Sequence, residues 1–181
     1  MVRLTLGVDY DLPPIALVAE RTTWFPAGAV TLGLEERVLG EAAVRAAFTD
    51  AQRAQSAIED VHDGAFADDG GLSIHVCDTM SGRELLRFDC FAATPHYHYI
   101  HVDGRNQAIA FDSDANGEMV PWVAMCLMLR LPQMLTRVGA AELASQVDTT
   151  ALGSAVTALV AEARRRPGEE RHGQPGSDPD H

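Results

Sequence analysis

The sequence predicts an α+β fold: an antiparallel β-meander of about four strands packed on one face by α-helices. Three observations carry this. Four short apolar and β-branched runs lie between residues 72 and 111, broken by glycine-bearing turns. On either side of them stand longer stretches whose apolar residues recur at spacings of three and four. The length, 181 residues, suits one domain, long enough to hide about 70% of its unfolded surface around a single core.

Taken in order, Val2, Leu4, Leu6, Val8 and Tyr10 alternate with Arg3, Thr5, Gly7 and Asp9, the period of a half-buried strand. Leu12-Pro13-Pro14 ends it. Over residues 34–61, Val38, Val44, Phe48, Ala51, Ile58 and Val61 recur at helical spacing between Glu, Arg, Asp and Gln, which predicts one long amphipathic helix, or two split near Thr49 and Asp50. A polar, glycine-bearing break follows at 63–71. Strands are predicted over 72–78, 84–91, 96–102 and 107–111. Gly82 stands where a hairpin loop with a bulge needs a positive φ, and Asp103-Gly104 is a two-residue turn signal. Helices are predicted over 120–138 and around Leu152, Val156, Leu159 and Ala163. Residues 1–166 thus read as one α+β domain, with the helices around Val44 and Trp122 covering the sheet, and 167–181 as a disordered acidic tail.

Composition narrows the partners. A net charge of -12 and an isoelectric point near 4.8, without a basic cluster, argue against nucleic acid. All fourteen basic residues are arginine, which reads as the product of a GC-rich bacterial genome. The N-terminus lacks the basic end, apolar block and cleavage site of a secretory signal, so the expectation is a cytoplasmic protein. The longest apolar run, 120–131, falls short of the roughly 20 residues of a membrane span and is interrupted by Pro121 and Arg130, so no membrane association is expected. Cys77, Cys90 and Cys126 form no Cys-x-x-Cys pair and read as buried free thiols. The expected partners are a small molecule or a second copy of the chain.

The chemistry concentrates in residues 87–101, which hold three of the seven histidines. Strand parity divides them: His96 and His98 project to one side with Ile100, and Tyr97, Tyr99 and His101 to the other. If Gly82 closes the predicted loop, Leu72, Ile74, Val76, Leu86, Phe88 and Cys90 share the core face, while Ser73, His75, Cys77, Arg87 and Asp89 share the opposite one. Should His96 and His98 fall on that opposite face, His75, Arg87, Asp89, His96 and His98 converge. A one-residue slip destroys the convergence.

Three readings follow. The first is a divalent metal held by His96, His98 and one of His75, Asp89 or Asp103, since two imidazoles and a carboxylate suit non-haem iron or catalytic zinc. The second is a metal-free catalytic pocket in which His75 or His98 moves a proton, Asp89 assists and Arg87 binds a carboxylate or phosphate. The third is a noncatalytic module that buries an exposed aromatic sheet face, Tyr97 and Tyr99, against a partner or a second copy. Enzyme and non-enzyme both stay open.

Short resemblances add to these readings. His96-Tyr-His98-Tyr-Ile-His-Val-Asp103-Gly104 resembles part of the first cupin motif, His-x-His followed by an acid. That resemblance implies a double-sheet barrel with His96, His98 and Asp103 as metal ligands. The acid is Asp where the motif has Glu, and no histidine follows before His172, so the second cupin motif is absent. Asp112-Ser-Asp114-Ala-Asn116-Gly117 matches the opening half of a calcium loop, but Val123 stands where the bidentate Glu belongs, which favours a turn capping the helix near Glu118. Gly-x-Ser-x-Gly and phosphate-loop signatures are missing. Leu86-Arg-Phe-Asp-Cys-Phe91 together with Pro95-His-Tyr-His-Tyr-Ile100 resembles a core shared by uncharacterised bacterial proteins, a domain family of unknown function. That likeness spans 72–112 and implies no activity.

Overall fold

A computed structural model describes residues 4–11, 14–39 and 69–166. Seven antiparallel strands form one sheet: β1 (Asp9–Tyr10), β2 (Thr22–Ala27), β3 (Val30–Leu39), β4 (Asp69–Asp78), β5 (Glu84–Phe91), β6 (His96–Ile100) and β7 (Asn106–Ala110). Their order across the sheet is β1-β7-β6-β5-β4-β3-β2. Four helices are described: α1 (Ser113–Asn116), α2 (Met119–Arg137), α3 (Ala141–Ser145) and α4 (Thr149–Arg165). The α+β class therefore holds, with seven strands: the four of the meander, β1 from the expected N-terminal strand, and β2 and β3 in addition. The predicted tail, 167–181, and the part of the predicted long helix in 40–68, including Val44, lie outside the described residues.

Two sequence expectations change. The helix predicted from residue 34 does not begin there, because 34–39 complete β3. Leu32 and Leu34 are fully buried on one face, while Glu35 and Arg37 are 1% and 5% exposed on the other. With both faces covered, the period-two signal is lost. The N-terminal alternation yields only Asp9–Tyr10 as strand, paired to β7, and Leu6 and Val8 are exposed. Gly7, at φ 78°, turns the chain before that pairing starts. β2 went unpredicted; its Pro26 is tolerated because β2 is an edge strand.

The predicted meander forms closely. Gly82 has φ 69°, and its N–H donates to the Asp78 carbonyl at 2.8 Å, closing the β4–β5 hairpin. One core face carries Ile74, Val76, Leu86 and Phe88, all fully buried, against Val123, Leu127, Leu131 and Leu135 of α2 and Leu152 and Leu159 of α4. Trp122 packs among Phe88, Tyr97 and Phe111, with ring centroids 4.9 to 6.2 Å apart. α2 runs through Pro121, Arg130 and Pro132 and matches the helix predicted over 120–138 to within a residue at each end. By length and composition it is long and apolar enough to cross a membrane, although one side of it is core.

Asp112 does act as a cap, but of α1: its carboxylate accepts from Ala115 N at 3.0 Å, and α2 starts later, at Met119. Asp148 caps α4, accepting from Thr150 N and Ala151 N at 2.8 and 3.0 Å. A single open sheet with helices replaces the double-sheet barrel implied by the cupin-like motif.

Because β1 pairs at one edge and β2 at the other, the chain between them crosses the sheet. It does so over the face opposite the core, where Arg37 Nη1 and Nη2 donate to the Ile15 and Ala16 carbonyls at 3.2 and 3.1 Å. Arg87 Nη1 donates to the same Ile15 carbonyl. This polar face is thus strapped.

Candidate metal centre

Register brings the polar residues into two cross-strand rows. Ser73 stands opposite Asp89, and Asp89 opposite His96; one step along, His75 stands opposite Arg87, and Arg87 opposite His98. Each alternates with core residues, so all five predicted site residues, His75, Arg87, Asp89, His96 and His98, share one face. All five are buried. Tyr97 and Tyr99 lie on the other face, where Tyr97 stacks on Phe88 and Tyr99 lies under Arg137. The His and Tyr sets therefore do not form one surface.

The five divide into two groups. In the first, Asp89 Oδ2 lies 3.3 Å from His96 Nε2 and 3.4 Å from His98 Nε2. One ligand atom from each of Asp89, His96 and His98 falls within 4.8 Å of the others. The imidazoles stand 5.0 Å apart, tilted by 70°. Asp89 Oδ1 accepts a short hydrogen bond from Ser73 Oγ. Burial pushes the Asp89 carboxyl up, but His98, His96 and Arg87 outweigh it and hold the group well below the usual carboxylate range. Burial lowers His98, against the pull of Asp89, which favours the neutral imidazole, the form that binds metal.

The outer contacts orient these side chains. His96 Nδ1 lies 2.7 Å from the Thr94 carbonyl, which accepts its hydrogen bond and leaves Nε2 facing Asp89. A lone pair aimed at a carboxylate 3.3 Å away is repulsive unless a proton or a cation lies between them. Thr94 is itself held by Asp69, whose Oδ2 accepts from Thr94 N at 2.9 Å and from Thr94 Oγ1, while Oδ1 accepts from Gly70 N and Ala93 N at 2.9 and 3.1 Å. One carboxylate thereby shapes the whole β5–β6 connection. His98 Nδ1 is buried and has no hydrogen-bond partner among the described residues.

His75 and Arg87 form a separate charged group with two acids that sequence reasoning missed. His75 Nδ1 lies 2.7 Å from Glu84 Oε1, and its Nε2 is 3.5 Å from Glu35 Oε2, too poorly aimed for a hydrogen bond. Arg87 meets Glu84 through two bonds. Glu35 Oε2 also accepts from Val18 N of the strap at 3.2 Å. Burial works against His75's charge, but Glu35 and Glu84 prevail and raise it above its ordinary value. Burial likewise pushes Glu84 up, yet His75 and Arg87 bring it down to about 2. With its partners protein groups, Arg87 is a structural cation here rather than a ready anion receptor.

Asp103, the third ligand implied by the cupin-like motif, is on an exposed turn paired with Arg105 at 2.8 Å. The carboxylate that stands beside the two histidines is instead that of Asp89. Glu35 lay inside a presumed helix, and Glu84 at a strand start where parity put it on the core side; neither carried a signal.

Residues 24–163 match a family described as a domain of unknown function, DUF7700. The chain belongs to this family. The Asp89, His96 and His98 group and every strand of the DUF7700 domain from β3 to β7 lie within the matched span. No curated protein and no solved structure matches the chain.

Proposed function

We propose that this domain binds one divalent transition metal through Asp89, His96 and His98. The observation that carries the reading is the convergence of the three ligand atoms within 4.8 Å on a buried face, with His96 Nδ1 tied to Thr94 so that Nε2 points inward. Two imidazoles and one carboxylate leave coordination positions open, the ligand set of non-haem iron(II) or of a catalytic zinc with bound water. Calcium and magnesium fit poorly, since both prefer an all-oxygen shell. When bound, the metal supplies a Lewis acid on which a small ligand can be polarised. Asp89 contributes the negative charge, Ser73 holds its other oxygen, and burial favours the uncharged form of His98.

The test is metal analysis of the full chain, purified under reducing conditions and offered zinc, iron(II) and manganese in turn. The wild type should retain about one metal per chain and gain thermal stability with it. His96→Ala and His98→Gln should lose that metal while keeping the wild-type circular dichroism. Retention by both variants, or less than about a tenth of an equivalent in the wild type under every loading, rejects the reading.

A further inference from the structure

On the opposite side of the sheet from the histidines, α2 stands away from β6 and leaves an open groove of about 730 Å³. Its volume falls within the range of small-molecule sites, roughly 300–1,000 Å³. Tyr97, Tyr99 and Trp122 form the aromatic part of the lining, with Tyr97 and Trp122 5.4 Å apart and the two tyrosines 5.9 Å apart in an edge-to-face pair. Met125 and Leu129 at the rim are 50% and 68% exposed. The remaining lining includes two cations, Arg130 and Arg137, and no carboxylate.

That charge is unusual in a chain of net charge -12. Arg130 and Arg137 are seven residues apart on α2, two turns or about 10 Å along one helix face. Neither forms an ion pair among the described residues. Arg137 lies 4.2 Å over the Tyr99 ring and donates to Gln107 Oε1 at 3.3 Å, so its head is fixed at the groove wall. Arg130 is exposed and uncommitted among the described residues. Asp9, on the neighbouring edge strand, is already engaged by Gln107 Nε2 at 3.0 Å. Burial keeps both tyrosine phenols protonated, available as neutral donors.

From this lining we infer that the groove is a binding site for a small aromatic carboxylate, its ring against Tyr97 and Trp122 and its carboxylate between Arg130 and Arg137. Aromatic edges and faces recognise the ring, and guanidinium forks recognise the carboxylate. The site is separate from the metal reading, because it lies on the other face of the sheet and shares no residue with Asp89, His96 or His98.

The experiment uses 2-naphthoate and its uncharged analogue 2-naphthamide as probes of the full chain, followed by calorimetry and by the two tryptophan indole signals in 1H–15N spectra. A Trp24→Phe variant assigns them. Naphthoate should bind saturably and shift the Trp122 signal but not that of Trp24. Naphthamide should bind at least about tenfold more weakly, as should naphthoate to Arg130→Gln. Arg130→Gln is the decisive variant, since Arg130 has no described contact to lose on mutation. Equal affinity for the two probes, no effect of Arg130→Gln, or an unmoved Trp122 overturns the inference. So does a dimer, detected by sedimentation, that closes the groove and excludes naphthoate.

Discussion

Glu84 and Arg87 stand three residues apart on one strand yet face the same side, joined from Arg87 Nε to Glu84 Oε1 at 2.8 Å and from Nη2 to Oε2 at 2.6 Å. Alternation alone would put them on opposite faces. The register between β4 and β5 shifts between Val76 and Cys77: Val76 pairs with Leu86 and Cys77 with Glu84, so Leu85 is the extra residue. This bulge turns Glu84 into the polar face, while Leu85 and Leu86 are both buried.

The pair is the anchor of the charged group, and Glu84→Gln tests it. The substitution keeps the shape but leaves Arg87 and His75 buried without their shared anion. Urea unfolding should show a loss of about 3–5 kcal/mol. Because Arg87 also donates to the Ile15 carbonyl of the strap, faster proteolysis near Ile15 is expected alongside it.

Stability should depend on pH from both ends of this group. His75 has a folded pKa raised above 6.5, so its contribution is fully present below that pH and is lost as pH rises through the folded value. Glu84, lowered from 4.5 to about 2, contributes fully above 4.5 and loses that contribution as pH falls toward 2. Tm measured across this range should therefore fall on the alkaline side above 6.5 as well as in acid. His75→Gln should flatten the alkaline fall; an unchanged slope would assign it to another group.

Asp69 should act on the proposed metal at a distance. Asp69→Ala frees Thr94, and with it the carbonyl that sets the His96 ring. The expected cost is about ten- to a hundredfold in metal affinity, measured by competition with a chromophoric chelator. Asp69→Asn, which keeps an acceptor, should lose less. If both variants bind as tightly as the wild type, Asp69 serves only the loop.

The thiols should be inert in the folded chain. Burial, with Glu84 and Asp78 nearby, pushes Cys77 up to about 12, and burial raises Cys90 and Cys126 as well. Titration with an aromatic disulfide at pH 8 should therefore be slow and should count all three thiols only after unfolding. Rapid labelling of Cys77 in the native chain would contradict its burial.

Local signals carry the part of the fold that is legible in the sequence. The hairpin closed by Gly82 needs a positive φ, the strands of the meander are bounded by turn residues, and α2 and α4 repeat every three to four residues. Each is settled within about twenty residues, so the sequence by itself determined the α+β class, the β4–β7 meander, its core face and the common parity of Ser73, His75, Arg87 and Asp89. β3 was hidden because Glu35 and Arg37 are charged yet buried, a pattern only their partners across the sheet explain. Tertiary structure alone decided the remainder. Whether His96 and His98 meet Asp89 or Tyr97 meets it depends on a one-residue choice of register between β5 and β6, which carries no local signature because either choice satisfies the ladder. The bulge at Leu85 that recruits Glu84, and the crossing of the strap that brings Ile15 to Arg37 and Arg87, depend on contacts between segments far apart in the chain.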